Sequence, residues 1–76
     1  MTDLKIAEIR KNAKETFVIA IVDHHGRRGV DLRVHASNGV DVVPTPKGVA
    51  IKPASLRPII EALEKAEQAA KAEGLL

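Results

Sequence analysis

A chain of 76 residues makes one domain, and a domain that small buries only about 60% of the surface its unfolded form exposes, so its stability calls for outside help. With no cysteine in the sequence, disulfides and thiolate metal sites are excluded and oligomerisation is the remaining remedy. The net charge of +2 hides a separation: from Lys5 to Arg57 there are ten Lys or Arg against five Asp or Glu, and from Pro58 onward two against four, so a basic body that suits a polyanion carries an acidic tail.

From Met1 to Asn12 the pattern fits two templates, since Ile6 and Ile9 lie at helical spacing while Lys5, Ala7 and Ile9 alternate like a strand. Asn12-Ala13-Lys14 reads as a turn. Thr16 to Val22 is dense in β-branched residues and nearly all apolar, the pattern of a strand buried on both faces. Asp23 to Gly29 contains two glycines and no apolar side chain, which marks a hairpin connection. Val30 to His35 then alternates, with Val30, Leu32 and Val34 inward and Asp31, Arg33 and His35 on the polar side. Ser37-Asn38-Gly39 is the next turn. Val40 to Val43 with Pro44-Thr45-Pro46 reads as an extended lead-in whose prolines cannot serve a central ladder, and Gly48 to Ile51 as a short last strand.

Beyond it Leu56, Ile59, Ile60, Leu63, Ala66 and Ala70 recur at steps of three and four, the stripe of an amphipathic helix. An N-cap at Ser55 is the preferred start, because it places Pro58 in the first turn, where amide hydrogens are unbonded anyway. Gly74 is the natural stop. Short connections imply antiparallel neighbours. The expected fold is therefore α+β: a four-stranded antiparallel sheet followed by one C-terminal amphipathic helix, a ββββα order in a single domain over 1–76 with residues 1–4 as a loose N-terminus. One helix cannot cover both sheet faces, so its stripe meets the sheet or a second copy and the other face is left to water.

The order of these motifs, from about Lys5 to Leu63, resembles the positive cofactor four family of transcriptional coactivators. Three segments carry the resemblance. Asp23-His24-His25-Gly26-Arg27-Arg28 followed by Val30-Asp31-Leu32-Arg33 is similar to the family's strand, basic Gly turn and Asp-x-Arg strand; Pro44 to Ile51, with Lys47-Gly48, is similar to its Lys-Gly-Ile strand; Pro53 and the helix beyond are similar to its closing dimerisation helix. The resemblance implies a homodimer, joined through the helix, that binds single-stranded DNA in basic channels where strand aromatics hold bases and Lys and Arg track phosphates. The chain departs from this pattern at His35-Ala36, His24 and Pro46, where the family often has aromatic or basic residues. Imidazole is a smaller stacking platform than indole or phenol, so weaker and more electrostatic binding is expected.

The candidate nucleic-acid-binding residues are Lys5, Arg10, Lys11 and Lys14 around the first turn, and His24, Arg27, Arg28, Arg33, His35, Lys47 and Lys52 on later strands and turns. Their plain alternative is a solvated surface, and Asp31 is placed to tie up Arg33 in a pair. Phe17, the one aromatic, reads as core, and His24 and His35 are the better stacking candidates. Adjacent strand residues face opposite ways, so His24 and His25 cannot share an ion, and no metal or other cofactor is expected. Gly48 reads as a backbone device beside Lys47. Leu56, Ile59, Ile60 and Leu63 are the candidate dimer interface, and Glu61, Glu64, Lys65 and Glu67 a solvated face.

No nucleophile, acid-base pair or phosphate loop has the required spacing, so an enzyme is not expected. The expected partners are single-stranded DNA, with RNA or duplex DNA left open, a second copy of the chain, and the transcription machinery. No stretch suits a membrane span or signal-peptide core, and the reading is a soluble intracellular protein: cytoplasmic or nucleoid-associated in a prokaryote or phage, nuclear in a eukaryote. The rival reading is a protein-interaction module with incidental nucleic-acid affinity.

Overall fold

The computed structural model of the protein describes residues 3–76. Four strands, β1 (Leu4–Arg10), β2 (Glu15–His24), β3 (Arg27–Ser37) and β4 (Val42–Ile51), are followed by one helix, α1 (Pro53–Ala72). The strands form one antiparallel sheet in the order β1-β2-β3-β4, which is the ββββα arrangement that the hydrophobic patterning implies. Of the loose N-terminus expected over residues 1–4, Met1 and Thr2 lie outside the described residues, and Leu4 already pairs with Ile21.

Side chains of directly paired residues share a face of a sheet, so the register sorts the chain into two surfaces. One carries Phe17, Ile19 and Ile21 of β2, Val30, Leu32 and Val34 of β3, and Val49 and Ile51 of β4. The other carries Thr16, Val18, Ala20 and His24 against Arg27, Asp31, Arg33 and His35. Strict alternation in β1 would put Lys5 with Ala7 and Ile9 on the apolar side. A bulge at Ile6 adds one residue, and Lys5 instead pairs with Ala20 on the polar side.

Two expectations for the central strands need correction. The stretch Thr16 to Val22 is not buried on both faces, since only Val18 is, at 6% exposure, and its neighbours are half-buried. On the polar side Val18 lies between Glu8 and Arg33, its partners in register, whose long side chains can shield it. The connection after it is shorter than Asp23 to Gly29, because Asp23 and His24 continue the ladder to Arg28 and Arg27. Only His25 and Gly26 turn, at φ of 52° and 82°, the positive pair that a two-residue type I′ hairpin requires.

β4 is longer than the expected Gly48 to Ile51 and includes both prolines. It can do so because it is an edge strand, with one side free of ladder bonds. Between the pairs His35 with Pro44 and Arg33 with Gly48 it holds two residues more than β3 does. Thr45 bridges this irregularity: its hydroxyl donates to the Val34 carbonyl at 2.7 Å and accepts from the Lys47 amide at 3.2 Å. The ladder then resumes at Gly48, where a Cβ would stand 2.6 Å from the Leu32 carbonyl oxygen and 2.8 Å from the Arg33 Cα. That close approach is why glycine follows Lys47.

The helix does not begin with a Ser55 cap. Lys52 is the N-cap, with φ −67° and ψ 142° and no side-chain cap, and Pro53 is the first helical residue. Ser55 lies inside the first turn and donates its amide to the Lys52 carbonyl at 2.9 Å. Pro53 prevails because its ring fixes the φ that a first helical residue needs. Pro58 consequently falls inside the helix and deprives the Ala54 carbonyl of its amide partner; both residues are exposed, so water can reach that carbonyl. At the other end Gly74, at φ 76°, donates to Lys71 and Leu75 to Ala70, the paired bonds of a Schellman stop.

Packing between helix and sheet is sparse. The helix approaches β3, no helix residue is buried, and the buried apolar residues are Val18, Val34 and Ile51. The chain exposes 6017 Å², whereas a compact monomer of its mass exposes about 4,500 Å². Its radius of gyration is 14.4 Å against about 11.4 Å for a compact domain of this length.

Two substitutions check this description by chemical or thermal unfolding. Gly48→Ala is predicted to destabilise by at least about 2 kcal/mol, because the added methyl meets backbone atoms that cannot move independently. His25→Asn is predicted to stabilise by a few tenths to about 1 kcal/mol, because asparagine is better suited to the left-handed turn position.

Candidate nucleic-acid interface

The sheet's polar face is built from alternate residues of all four strands and gathers Lys5, Arg10, His24, Arg27, Arg33 and His35 from the candidate set. These cations are not equivalent. Arg33 is committed to the fold: its Nε and Nη2 donate to the two oxygens of Asp31 at 2.9 and 3.0 Å, and its Nη1 donates to the Thr45 carbonyl at 3.0 Å. Asp31, with only 8% of its surface exposed, sits between Ala20 and Ala50, whose small side chains leave room for it. The hydrogen bonds it donates to Asp31 hold the Arg33 guanidinium pKa above its ordinary value. His24 Nε2 stands 3.9 Å from the same carboxylate.

Lys5 pairs with Glu8, its Nζ 3.3 Å from a carboxylate oxygen, and a further group of cations lies at the two ends of the strands. At the β1–β2 end, Arg10 and Lys14 line a recess with Glu8, Thr16, Ser37 and Val42. Asn12 shapes this turn by accepting the amides of Lys14 and Glu15 on its side-chain oxygen, at 2.9 and 2.8 Å. At the other end His24, Arg27, Arg28 and Lys52 line an open hollow of about 570 Å³ with an apolar floor that includes Val30, Ala50, Ile51 and Pro53. Arg28 registers opposite Asp23, on the apolar side, and reaches this hollow from the sheet's end. From Thr16 to His24 along β2 the distance is about 27 Å at the rise of an extended strand, so the two basic ends are separated by the length of a short oligonucleotide.

Lys11 and Lys47 behave differently from both groups. They converge on Glu15, Lys11 Nζ at 3.0 Å from one carboxylate oxygen and Lys47 Nζ at 3.8 Å from the other. The Asn12 side-chain amide donates to the same carboxylate at 2.8 Å. Glu15 and Thr45 are the site residues that sequence reasoning passed over. For Glu15 a signal was present, since Lys11, Asn12 and Glu15 stand at the spacing of a side-chain-closed turn; for Thr45 there was none, because its hydroxyl acts only where two strands meet.

Neither stacking candidate is enclosed. His24 is exposed and His35, paired with Thr16 and Pro44, is half-buried; Phe17 lies on the apolar side. The candidate interface residues Leu56, Ile59 and Ile60 are half-buried along the helix, and Leu63 is 59% exposed. No helix among the described residues is long and apolar enough to cross a membrane.

Neither a protein-family model nor a curated protein matches the sequence. Two crystal structures do match in three dimensions, the orthorhombic and tetragonal forms of a PC4 homologue from Burkholderia pseudomallei K96243. Their TM-scores are 0.79 and 0.78, each at 33% sequence identity over 87% of this chain, and the alignments cover 90% and 98% of theirs.

The forked bonds make Arg33 a structural cation, and thermal unfolding can verify that role. Arg33→Lys is predicted to lower the melting temperature, because an ammonium cannot reproduce three forked bonds to Asp31 and Thr45. Arg27→Lys, at the rim of the hollow, is predicted to leave it unchanged.

Proposed function

This chain belongs to the PC4 family, and from that premise we propose that it is a non-catalytic homodimer that binds single-stranded DNA through phosphate contacts along the polar face of its sheet. The observation that carries this reading is the placement of the cations: Arg10 and Lys14 in a recess at one end of that face, and Arg27 and Lys52 around the hollow at the other. A flexible strand with one charge per nucleotide can engage both ends across the middle of the face, where the small side chains of Ala20 and Ala50 flank Asp31. With no aromatic residue on this face, base stacking falls to His24 and His35, so most of the affinity is electrostatic and weakly dependent on sequence.

Self-association is supported by surface that the single chain leaves uncovered. The excess of roughly 1,500 Å² over a compact monomer exceeds the 800 Å² or so that one partner buries in a standard interface. The stripe of Leu56, Ile59, Ile60 and Leu63, together with Val43 and Val49 of β4, is the apolar part of that surface. One oxygen of Asp23 is also buried without a hydrogen-bond partner in the single chain, which a second subunit can relieve. A role in transcription, by holding melted DNA, is the process we infer from the family.

Fluorescence anisotropy with labelled single-stranded and duplex oligonucleotides, at several salt concentrations, tests the nucleic-acid reading. The predicted result is a preference for single strands, with the logarithm of affinity falling by about 0.7 per neutralised phosphate for each log unit of salt. Arg10→Glu combined with Lys14→Glu is predicted to weaken binding about tenfold or more with the fold intact. Failure to bind either form at low salt would favour a protein-interaction module. Solution mass addresses the dimer: twice the chain mass is predicted for the natural sequence, falling to one chain in Leu63→Glu.

A further inference from the structure

Lys11 and Lys47 come from different parts of the chain, the first turn and the last strand, yet both ammonium groups are drawn to one carboxylate. Glu15 is fixed for this purpose by its surroundings. Its backbone amide is held by the Asn12 side-chain oxygen and its backbone carbonyl accepts the amides of Lys11 and Asn12. The carboxylate itself takes the Asn12 side-chain amide at 2.8 Å, and that bond, then the one from Lys11, holds its pKa below the ordinary carboxylate value. It therefore stays ionised wherever the protein is folded near neutral pH. Glu15 thus closes the first turn through Asn12 and Lys11, and Lys47 joins it from the last strand.

Glu15 pairs with Ala36 in the alternation of Phe17 and Val34, so the cluster lies at the β1–β2 end of the sheet, beside the polar face rather than on it. Resting on the nucleic-acid reading above, we propose that Glu15 caps the affinity at that end: it holds Lys11 and Lys47 in an ion-pair cluster that a nucleic-acid phosphate must displace. Solvent-exposed pairs of this kind contribute little to folding stability, but they compete directly with a phosphate for the same ammonium groups. An ionised carboxylate at this position also repels the incoming strand. Together the two effects cap binding below what the count of cations implies.

The test compares Glu15→Gln with the natural sequence for binding to a labelled single-stranded oligonucleotide, in the natural background and in a Lys11→Gln, Lys47→Gln background. Glutamine keeps the side-chain shape and can still accept the Asn12 amide, and melting temperatures verify that the fold is retained. The expected result is about three- to tenfold tighter binding at low salt for Glu15→Gln, with a salt slope steeper by about 0.7 for each lysine recruited, and loss of most of this gain when both lysines are absent. Equal affinity with and without the carboxylate would overturn the proposal, and so would a gain that persists undiminished without the lysines, since it would then be a general charge effect. Binding by the natural protein with no gain in Glu15→Gln removes only the role of Glu15, whereas no salt-sensitive binding by the natural protein removes the nucleic-acid reading itself.

Discussion

The guanidinium of Arg33, shared between the Asp31 carboxylate and the Thr45 carbonyl, is the contact on which the architecture of this small sheet depends. β4 is an edge strand with two prolines and two surplus residues, and ladder bonds alone cannot hold such a segment. Arg33 fastens the bulge from the polar side, Thr45 supplies the missing rung to Val34, and Gly48 lets the strand close again on Leu32 and Arg33. Because the bulge absorbs its surplus residues there, Ala50 pairs with Asp31 and Ile51 with Val30. That register brings Lys52 and the start of α1 to the rim of the basic hollow. A residue of the type that binds phosphate is thus diverted to the fold, while Arg10, Lys14, Arg27 and Lys52 stand at the ends of the strands.

A second constraint is the mismatch between apolar surface and the means to cover it. The sheet has one face lined by Phe17, Ile19, Ile21, Leu32 and Val34, while the helix touches β3 and buries none of its own residues. A chain of this size cannot fold a second layer over both, and without disulfides the hydrophobic demand is met from outside or not at all. Membership of the PC4 family is consistent with this economy. One apolar side and one helix stripe are available for self-association, and one polar side with basic ends is available for a polyanion.

Much of this was legible in the sequence where local chemistry decides the outcome. The alternation of Val30, Leu32 and Val34 against Asp31, Arg33 and His35 placed the two faces of β3 correctly, and Asp31 two positions before Arg33 already implied a pair. Gly48 read as a device for close approach, and Gly74 as a stop. Sequence reasoning failed where a partner distant in the chain decides. Pro44 and Pro46 read as an extended lead-in outside the ladder, because the Thr45 hydroxyl that carries them into β4 works only against Val34 of the neighbouring strand. A Ser55 cap is the preferred reading of the sequence because it keeps Pro58 in the first turn, but the pre-set φ of Pro53 prevails and the loss at Pro58 falls on an exposed carbonyl. In β1 a single surplus residue, Ile6, moved Lys5 from one face to the other, and nothing in the local pattern announces a bulge.

The central claim is that the polar face of the sheet, with its basic ends, is where nucleic acid lies. Amide chemical-shift mapping of isotope-labelled protein titrated with a short single-stranded oligonucleotide tests it residue by residue. Shifts concentrated at Arg10, Lys14, Thr16, His24, Arg27 and Lys52, with α1 beyond Leu63 unmoved, are the predicted result. Shifts confined to the helix, or a polar face that stays silent while the oligonucleotide binds, would contradict it.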